Sequence, residues 1–258
     1  MSLQKEQIEA IENTIKTTLH KRFTSYNPEP SYMPFHTRLL GKDRLALYSF
    51  IHSLNTNFGT TIFEPVAVEL ASARFKIAKR QVVSGNKISE KALFEIQKIM
   101  DDLTAANKTP DFITETETLR KVCHEGDFRK VKPTKVDLYL EDYSGNIFLI
   151  DIKTAKPNKG AFKEFKRTLL EWKATVLAEN PNANVTSFIA IPYNPYEPKP
   201  YSRWTMAGML DLNYELKVAE EFWDFLGGNG AYQDLLNCFE KVGVELREEI
   251  DEYFLKFK

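Results

Sequence analysis

Two apolar runs, each carrying one aspartate, flank a short polar stretch, and this arrangement limits the chain more than any other feature. The first run is Val136-Asp137-Leu138-Tyr139-Leu140 and the second is Ile147-Phe148-Leu149-Ile150-Asp151-Ile152-Lys153. Between them lies Glu141-Asp142-Tyr143-Ser144-Gly145-Asn146, rich in turn formers, with Gly145 suited to a position of positive φ. The runs are therefore predicted to pair as a hairpin. A turn centred on Ser144 sets Glu141 opposite Ile147 and, in the same register, Asp137 opposite Asp151. Side chains alternate with period two, so Lys153 shares the face of Asp151 while Phe148, Ile150 and Ile152 point the other way into a core.

Like charges placed directly across a sheet destabilise it, and a cation reverses that penalty. Two carboxylates with no thiol or imidazole nearby in sequence suit a hard, oxygen-seeking ion such as Mg²⁺. A lysine beside such an ion can stabilise charge on a phosphorane-like transition state, or orient or deprotonate an attacking water. The chemistry implied is phosphodiester hydrolysis. A solvated edge hairpin would carry the same short D-x-K string, so the rest of the chain has to be weighed with it.

The chain is 43% hydrophobic and 12% aromatic, enough for a well-packed core. No apolar stretch approaches the roughly twenty residues that a bilayer span needs, and the first ten residues lack a signal-peptide core, so a cytoplasmic protein is expected, with no membrane. Cys123 and Cys238 stand far apart with no C-x-x-C spacing, which points to buried thiols rather than a disulfide or a zinc knuckle. His20, His36, His52 and His124 form no metal-ligand spacing, and no phosphate-binding G-x-x-x-x-G-K-[S/T] loop occurs. The formal net charge is only −1, so distribution matters more than the sum. Directly after the hairpin come Lys153, Lys156, Lys159, Lys163, Lys166, Arg167 and Lys173 against only Glu164 and Glu171. That stretch reads as a basic cleft beside the paired acids, or as a solvated helix face.

Apolar spacing of three and four predicts helices over residues 3–23 and 43–57, a third beginning near Glu64-Pro65, and a fourth capped by Ser89 and running to residue 107. Residues 111–122 read as irregular or strand-like. After the hairpin, Phe162, Phe165, Leu169, Trp172 and Val176 mark a helix, and residues 185–191 mark a buried strand. Hairpin, helix, strand is the order of an α/β core in which the chain crosses the sheet and adds a parallel strand. The proline-rich Tyr193-Asn194-Pro195-Tyr196-Glu197-Pro198-Lys199-Pro200-Tyr201 reads as an ordered aromatic loop, and residues 222–226 and 235–254 as C-terminal helices. One domain over 1–258 is expected: a helical N-terminal region (1–110), a catalytic α/β core (111–200) and a C-terminal helical region (201–258).

Val136-Asp137 followed by Ile150-Asp151-Ile152-Lys153 resembles the PD-(D/E)xK nuclease superfamily, in which an acid and a D/E-x-K tripeptide sit on adjoining strands. Lys156-Pro157-Asn158, Leu170-Glu171-Trp172, Ile191-Pro192-Tyr193-Asn194-Pro195-Tyr196 and Glu221-Phe222-Trp223-Asp224-Phe225-Leu226 are similar to segments of TdeIII-type type II restriction endonucleases. The resemblance runs from about Phe50 onward. It implies a mixed central sheet flanked by helices, with additional N- and C-terminal helices, and a Mg²⁺-dependent endonuclease acting on double-stranded DNA at a GGNCC-type palindrome, with a cognate methyltransferase protecting the same site. Asp137 matches the first acid of the motif, Asp151 the second and Lys153 its lysine; Val136 replaces the nominal proline without removing a ligand. Ile152 would add its carbonyl to the metal. An upstream helical glutamate is common in the superfamily, and Glu64 is the candidate, with Glu69 second; Glu64 could equally just complement a helix N-terminus. Lys156, Asn158, Lys159, Lys163, Lys166 and Arg167 are expected to contact the DNA, with Lys199 and Arg203 as candidate base readers. A palindrome cut on both strands is most simply served by a C₂ homodimer. Two alternatives share the site: a structure-selective repair or junction nuclease, and a DNA-binding protein that has lost catalysis.

Overall fold

The turn closes the expected hairpin. The Asp142 N–H donates to the Asn146 carbonyl at 3.0 Å and the Gly145 N–H to the Asp142 carbonyl at 3.1 Å, while Gly145 takes φ 83, a region open to glycine at little cost. The structure, a computed structural model, describes residues 3–25, 33–132, 134–153, 155, 157, 161–201 and 204–255.

In chain order, α1 (Lys5–Ser25), α2 (Pro34–Leu40) and α3 (Lys42–Phe58) lead through a π-helical turn (Gly59–Phe63) directly into α4 (Glu64–Ser72). Then come β1 (Ile77–Val83), β2 (Lys87–Ser89), α5 (Glu90–Thr104), α6 (Phe112–Val122) and β3 (Phe128–Lys130). The hairpin strands are β4 (Lys135–Glu141) and β5 (Ile147–Ile152), followed by α7 (Phe162–Glu179) and β6 (Val185–Ile191). The chain continues through α8 (Trp204–Ala207), β7 (Leu216–Val218), α9 (Glu220–Gly227), α10 (Ala231–Glu245) and α11 (Arg247–Leu255).

The strands build one five-stranded mixed sheet in the order β1-β4-β5-β6-β7, with β2 and β3 paired separately. β4 and β5 pair antiparallel with Leu138 opposite Ile150 and Glu141 opposite Ile147, the register that the turn dictates. β6 lies parallel to β5, with Ile150 beside Phe188, so α7 is the crossover that a parallel neighbour requires. Helices cover both faces. On one, α5, α6 and α7 bury Ile96, Leu119, Leu169 and Trp172 against Leu149 and Ile189. On the other, α1, α4, α9 and α10 bury Ile11, Val66, Phe222 and Leu235 against Leu138, Ile150, Ile152 and Phe188. No helix among the described residues is long and apolar enough to cross a membrane.

Residues 111–122 form a helix, contrary to the strand-like reading. The alternation of threonine and glutamate over 114–118 imitates a strand, but Asp111 caps the helix by accepting from the Thr114 N–H at 2.9 Å, and the buried residues Phe112, Glu115, Thr116 and Leu119 fall at helical spacing. The two regions read as helical each supply a strand: β1 lies within 1–110 and β7 within 201–258, and they form the two edges of the sheet. Edge strands can be short and need no unbroken apolar alternation, which is why β1 and β7 escaped the sequence pattern. Cys123 and Cys238 are buried free thiols.

Candidate active site

The acids on the hairpin come together at one end of the sheet. Asp137 Oδ2 accepts from the Ile152 N–H at 2.9 Å, across the strand pair, and the charge of Asp137 acts on the Asp151 carboxyl. Lys153 Nζ pairs with Asp151 Oδ1 at 2.5 Å and lies 4.9 Å above the ring of Phe165, the next helix supplying its apolar seat. Asp151 is 5% exposed. Burial pushes its carboxyl up to about 7, with Lys153 opposing the shift and Asp137 adding to it. A further cation placed beside Asp151 would favour its charged form, as Lys153 already does.

A third acid reaches the same place from the other side of the hairpin. Glu64 opens α4 immediately after the π-helical turn, a feature that frequently marks functional positions in helices. It is 2% exposed, and burial raises its pKa, partly countered by a hydrogen bond from Gln81. Gln81 Nε2 donates to Glu64 Oε2 at 3.0 Å and to Asp137 Oδ1 at 3.3 Å, joining the two carboxylates through one nitrogen. Sequence reading missed Gln81 because it missed β1; the turn signal Ser84-Gly85-Asn86 just after it was the available cue. Glu69, the second candidate, does not line the cleft that Glu64 lines.

That cleft has a volume of about 820 Å³. Its walls come from α3 and the π turn (Asn55, Thr60, Phe63), from Lys153 and Phe165, and from Pro192 and Tyr193 after β6. The last wall is held from behind by Trp223 of α9, whose indole N–H donates to the Pro192 carbonyl at 2.7 Å. Farther along the aromatic loop, Tyr201 donates its hydroxyl to the Ala155 carbonyl at 3.0 Å, tying the loop to the segment after Lys153.

Among the described residues, no three His, Cys, Asp or Glu side chains gather closely enough to hold a metal ion by themselves. The donors here are the carboxylate of Asp137, which lines the cleft, and that of Asp151, buried on the adjoining strand. That set fits Mg²⁺, which takes one or two protein carboxylates and completes its shell with phosphate and water.

The expected DNA contacts divide. Lys166 is not on the surface: it is fully buried, bridging Glu115 of α6 and Glu215 ahead of β7, so it cannot reach a phosphate. Lys173, one further turn pair along the same face, is buried beside Glu215 Oε1 at 3.6 Å. The signal was in the sequence, since Lys166 and Lys173 fall in step with the buried Phe162, Leu169 and Val176. Lys163 is exposed on α7. Arg167 is held by Gln97 of α5 at 2.7 Å. Lys199 is exposed on the aromatic loop. Lys156, Asn158, Lys159 and Arg203 lie outside the described residues.

Residues 3–243 match the family model described as type II restriction endonuclease, HinfI. The chain is also similar to the type II restriction enzyme MjaII of Methanocaldococcus jannaschii, 28% identical with 97% of this chain and 74% of the relative covered. Two enzymes of Herpetosiphon aurantiacus are similar as well. The type II restriction enzyme HgiCII is 25% identical, covering 86% of this chain and 81% of its own length; HgiEI is 24% identical, covering 90% and 85%.

Proposed function

Because the chain belongs to the HinfI family of type II restriction endonucleases, we propose that it hydrolyses phosphodiester bonds of double-stranded DNA at Asp137, Asp151 and Lys153, with Mg²⁺ as its metal and a short palindrome as its site. The observation that carries this reading is the ion pair of Lys153 with the buried Asp151, on the strand next to Asp137, where Asp137 and Lys153 line an open cleft. A PD-(D/E)xK core is the fold reading that accompanies it, supported by Asp137 on β4 and Asp151 and Lys153 at the end of the adjoining β5.

In this account Asp137, Asp151 and the Ile152 carbonyl would hold the ion, with Glu64 linked to Asp137 through Gln81. A divalent ion bound there supplies Lewis-acid stabilisation of phosphate charge and lowers the pKa of a water. The chain's own residues do the rest. The Ile152 N–H fixes the rotamer of Asp137, Phe165 and Asp151 hold the Lys153 ammonium at the cleft wall, and Lys153 orients the attacking water or donates to the phosphate as charge builds. The GGNCC-type site, a C₂ homodimer, a cognate methyltransferase on the same site and a cytoplasmic setting belong to the same reading, as do phosphate contacts from Lys156, Asn158, Lys159, Lys163 and Arg167 and base reading by Lys199 and Arg203. Their support is the resemblance to TdeIII-type segments, the palindrome argument and the exposed positions of Lys163 and Lys199.

Digestion of unmethylated plasmid DNA in Mg²⁺ and, in parallel, EDTA tests this. The expected outcome is discrete fragments in Mg²⁺ alone whose sequenced ends share one short palindrome. A metal-independent smear, or cuts only at branched or damaged DNA, would overturn it.

A further inference from the structure

Gln81 is out of place for a residue in a strand. β1 pairs with β4 through Arg80 opposite Leu138 and Val82 opposite Val136, which sets Gln81 across from Asp137. Yet Gln81 takes φ 57, the left-handed region, inside a segment whose other residues pair as ordinary antiparallel strand. A non-glycine residue adopts that conformation at a cost, and such residues persist where the surroundings hold them. What holds this one is visible: the carboxamide is half-buried and gives one N–H to Glu64 Oε2 at 3.0 Å and the other to Asp137 Oδ1 at 3.3 Å. The assignment of nitrogen rather than oxygen to that position follows from charge, since both partners are carboxylates and an amide oxygen there would be repelled.

The carboxamide therefore occupies the place between two acids where positive charge is otherwise needed, and it is the link by which Glu64, on a helix, is registered to Asp137, on the sheet. Resting on the reading that Asp137 and Asp151 hold Mg²⁺, we infer that Gln81 is a positioning residue of that metal site: it spaces Glu64 from Asp137, and the left-handed backbone at 81 exists to aim it there. Groups that orient ligands without touching the ion typically change metal affinity by roughly 10- to 100-fold when removed.

Two variants separate this role from a purely structural one. Q81G relaxes the backbone, because glycine accepts positive φ freely, and removes the carboxamide together with its two methylenes. Q81E keeps the shape but replaces the two donors with a third carboxylate. Calorimetric titration of each folded protein with MgCl₂, without DNA, is the primary readout, alongside melting in EDTA and in Mg²⁺. Q81G is expected to melt no lower than the unsubstituted chain, to bind Mg²⁺ roughly 10- to 100-fold more weakly, and to need correspondingly more Mg²⁺ for half-maximal cleavage. Q81E is expected to melt lower in EDTA and to recover in Mg²⁺. If Q81G binds and titrates Mg²⁺ like the unsubstituted chain, or loses its fold, the proposal is overturned while the metal site stands. If D137A binds Mg²⁺ as well as the unsubstituted chain does, the metal site itself is wrong and the role of Gln81 goes with it.

Discussion

Replacing Lys166 with alanine would leave Glu115 and Glu215 in the core without the cation that bridges them. Removing one partner of a buried pair leaves an uncompensated charge, so K166A is expected to destabilise the fold by about 3–5 kcal/mol in urea unfolding. The slope of DNA affinity against salt should not change, because no phosphate contact is lost; a shallower slope at full stability would contradict the burial. The residues of the candidate site differ in how far their placement could be read beforehand. Asp137, Asp151 and Lys153 were legible because a short turn fixes the register and strand period fixes the face. Glu64 was legible only as a candidate, since its approach to Asp137 depends on how α4 packs beside β1. Gln81 was missed with β1: the turn Ser84-Gly85-Asn86 could have signalled the strand, but the positive φ that brings its carboxamide between Glu64 and Asp137 is encoded by no pattern of residue types.

At the scale of elements, the caps and the buried ion network decide how the helices meet the sheet. Ser89 accepts from the Ala92 N–H at 3.1 Å and donates to the Val122 carbonyl at 2.7 Å, so it starts α5 and ties it to the end of α6. S89A is expected to cost about 0.5–2 kcal/mol, read as a lower denaturation midpoint; an unchanged midpoint would mean that the cap is redundant. Lys173 binds α7 to Glu215 and sits 4.3 Å above the ring of Phe112. Burial lowers its pKa to about 8, against the opposing charge of Glu215. The unfolded chain then keeps a proton between pH 8 and about 10.5 that the folded chain has released, so the contribution of Lys173 to stability is fully present above that window and is lost as pH falls through about 8. Melting temperatures of the unsubstituted chain and K173M measured across the window should diverge with rising pH in favour of the unsubstituted chain; parallel curves would refute the shift. The helix α7 and strand β6 were readable from period alone. The helix α6 was not, because three alternating threonines outweighed an aspartate cap whose partner is only three residues away.

For the whole molecule, the mixed sheet brings residues far apart in the chain to one cleft: Glu64 from the N-terminal helices, Asp137 and Lys153 from the hairpin, and a wall braced by Trp223 from α9. The α/β order of the central part was readable, but not that each helical flank lends the sheet an edge strand. Two cuts in one palindrome call for two such clefts, so light scattering of the DNA-bound protein should give the mass of two chains; the mass of one would remove the dimer from the account. The most direct test of the central claim compares the unsubstituted chain with K153A on one duplex carrying the cleavage site, measuring binding in Ca²⁺ and single-turnover cutting in Mg²⁺. The account predicts binding within a few-fold and cleavage slower by roughly 10²–10⁴. Cleavage by K153A at the unsubstituted rate would show that the chemistry lies elsewhere.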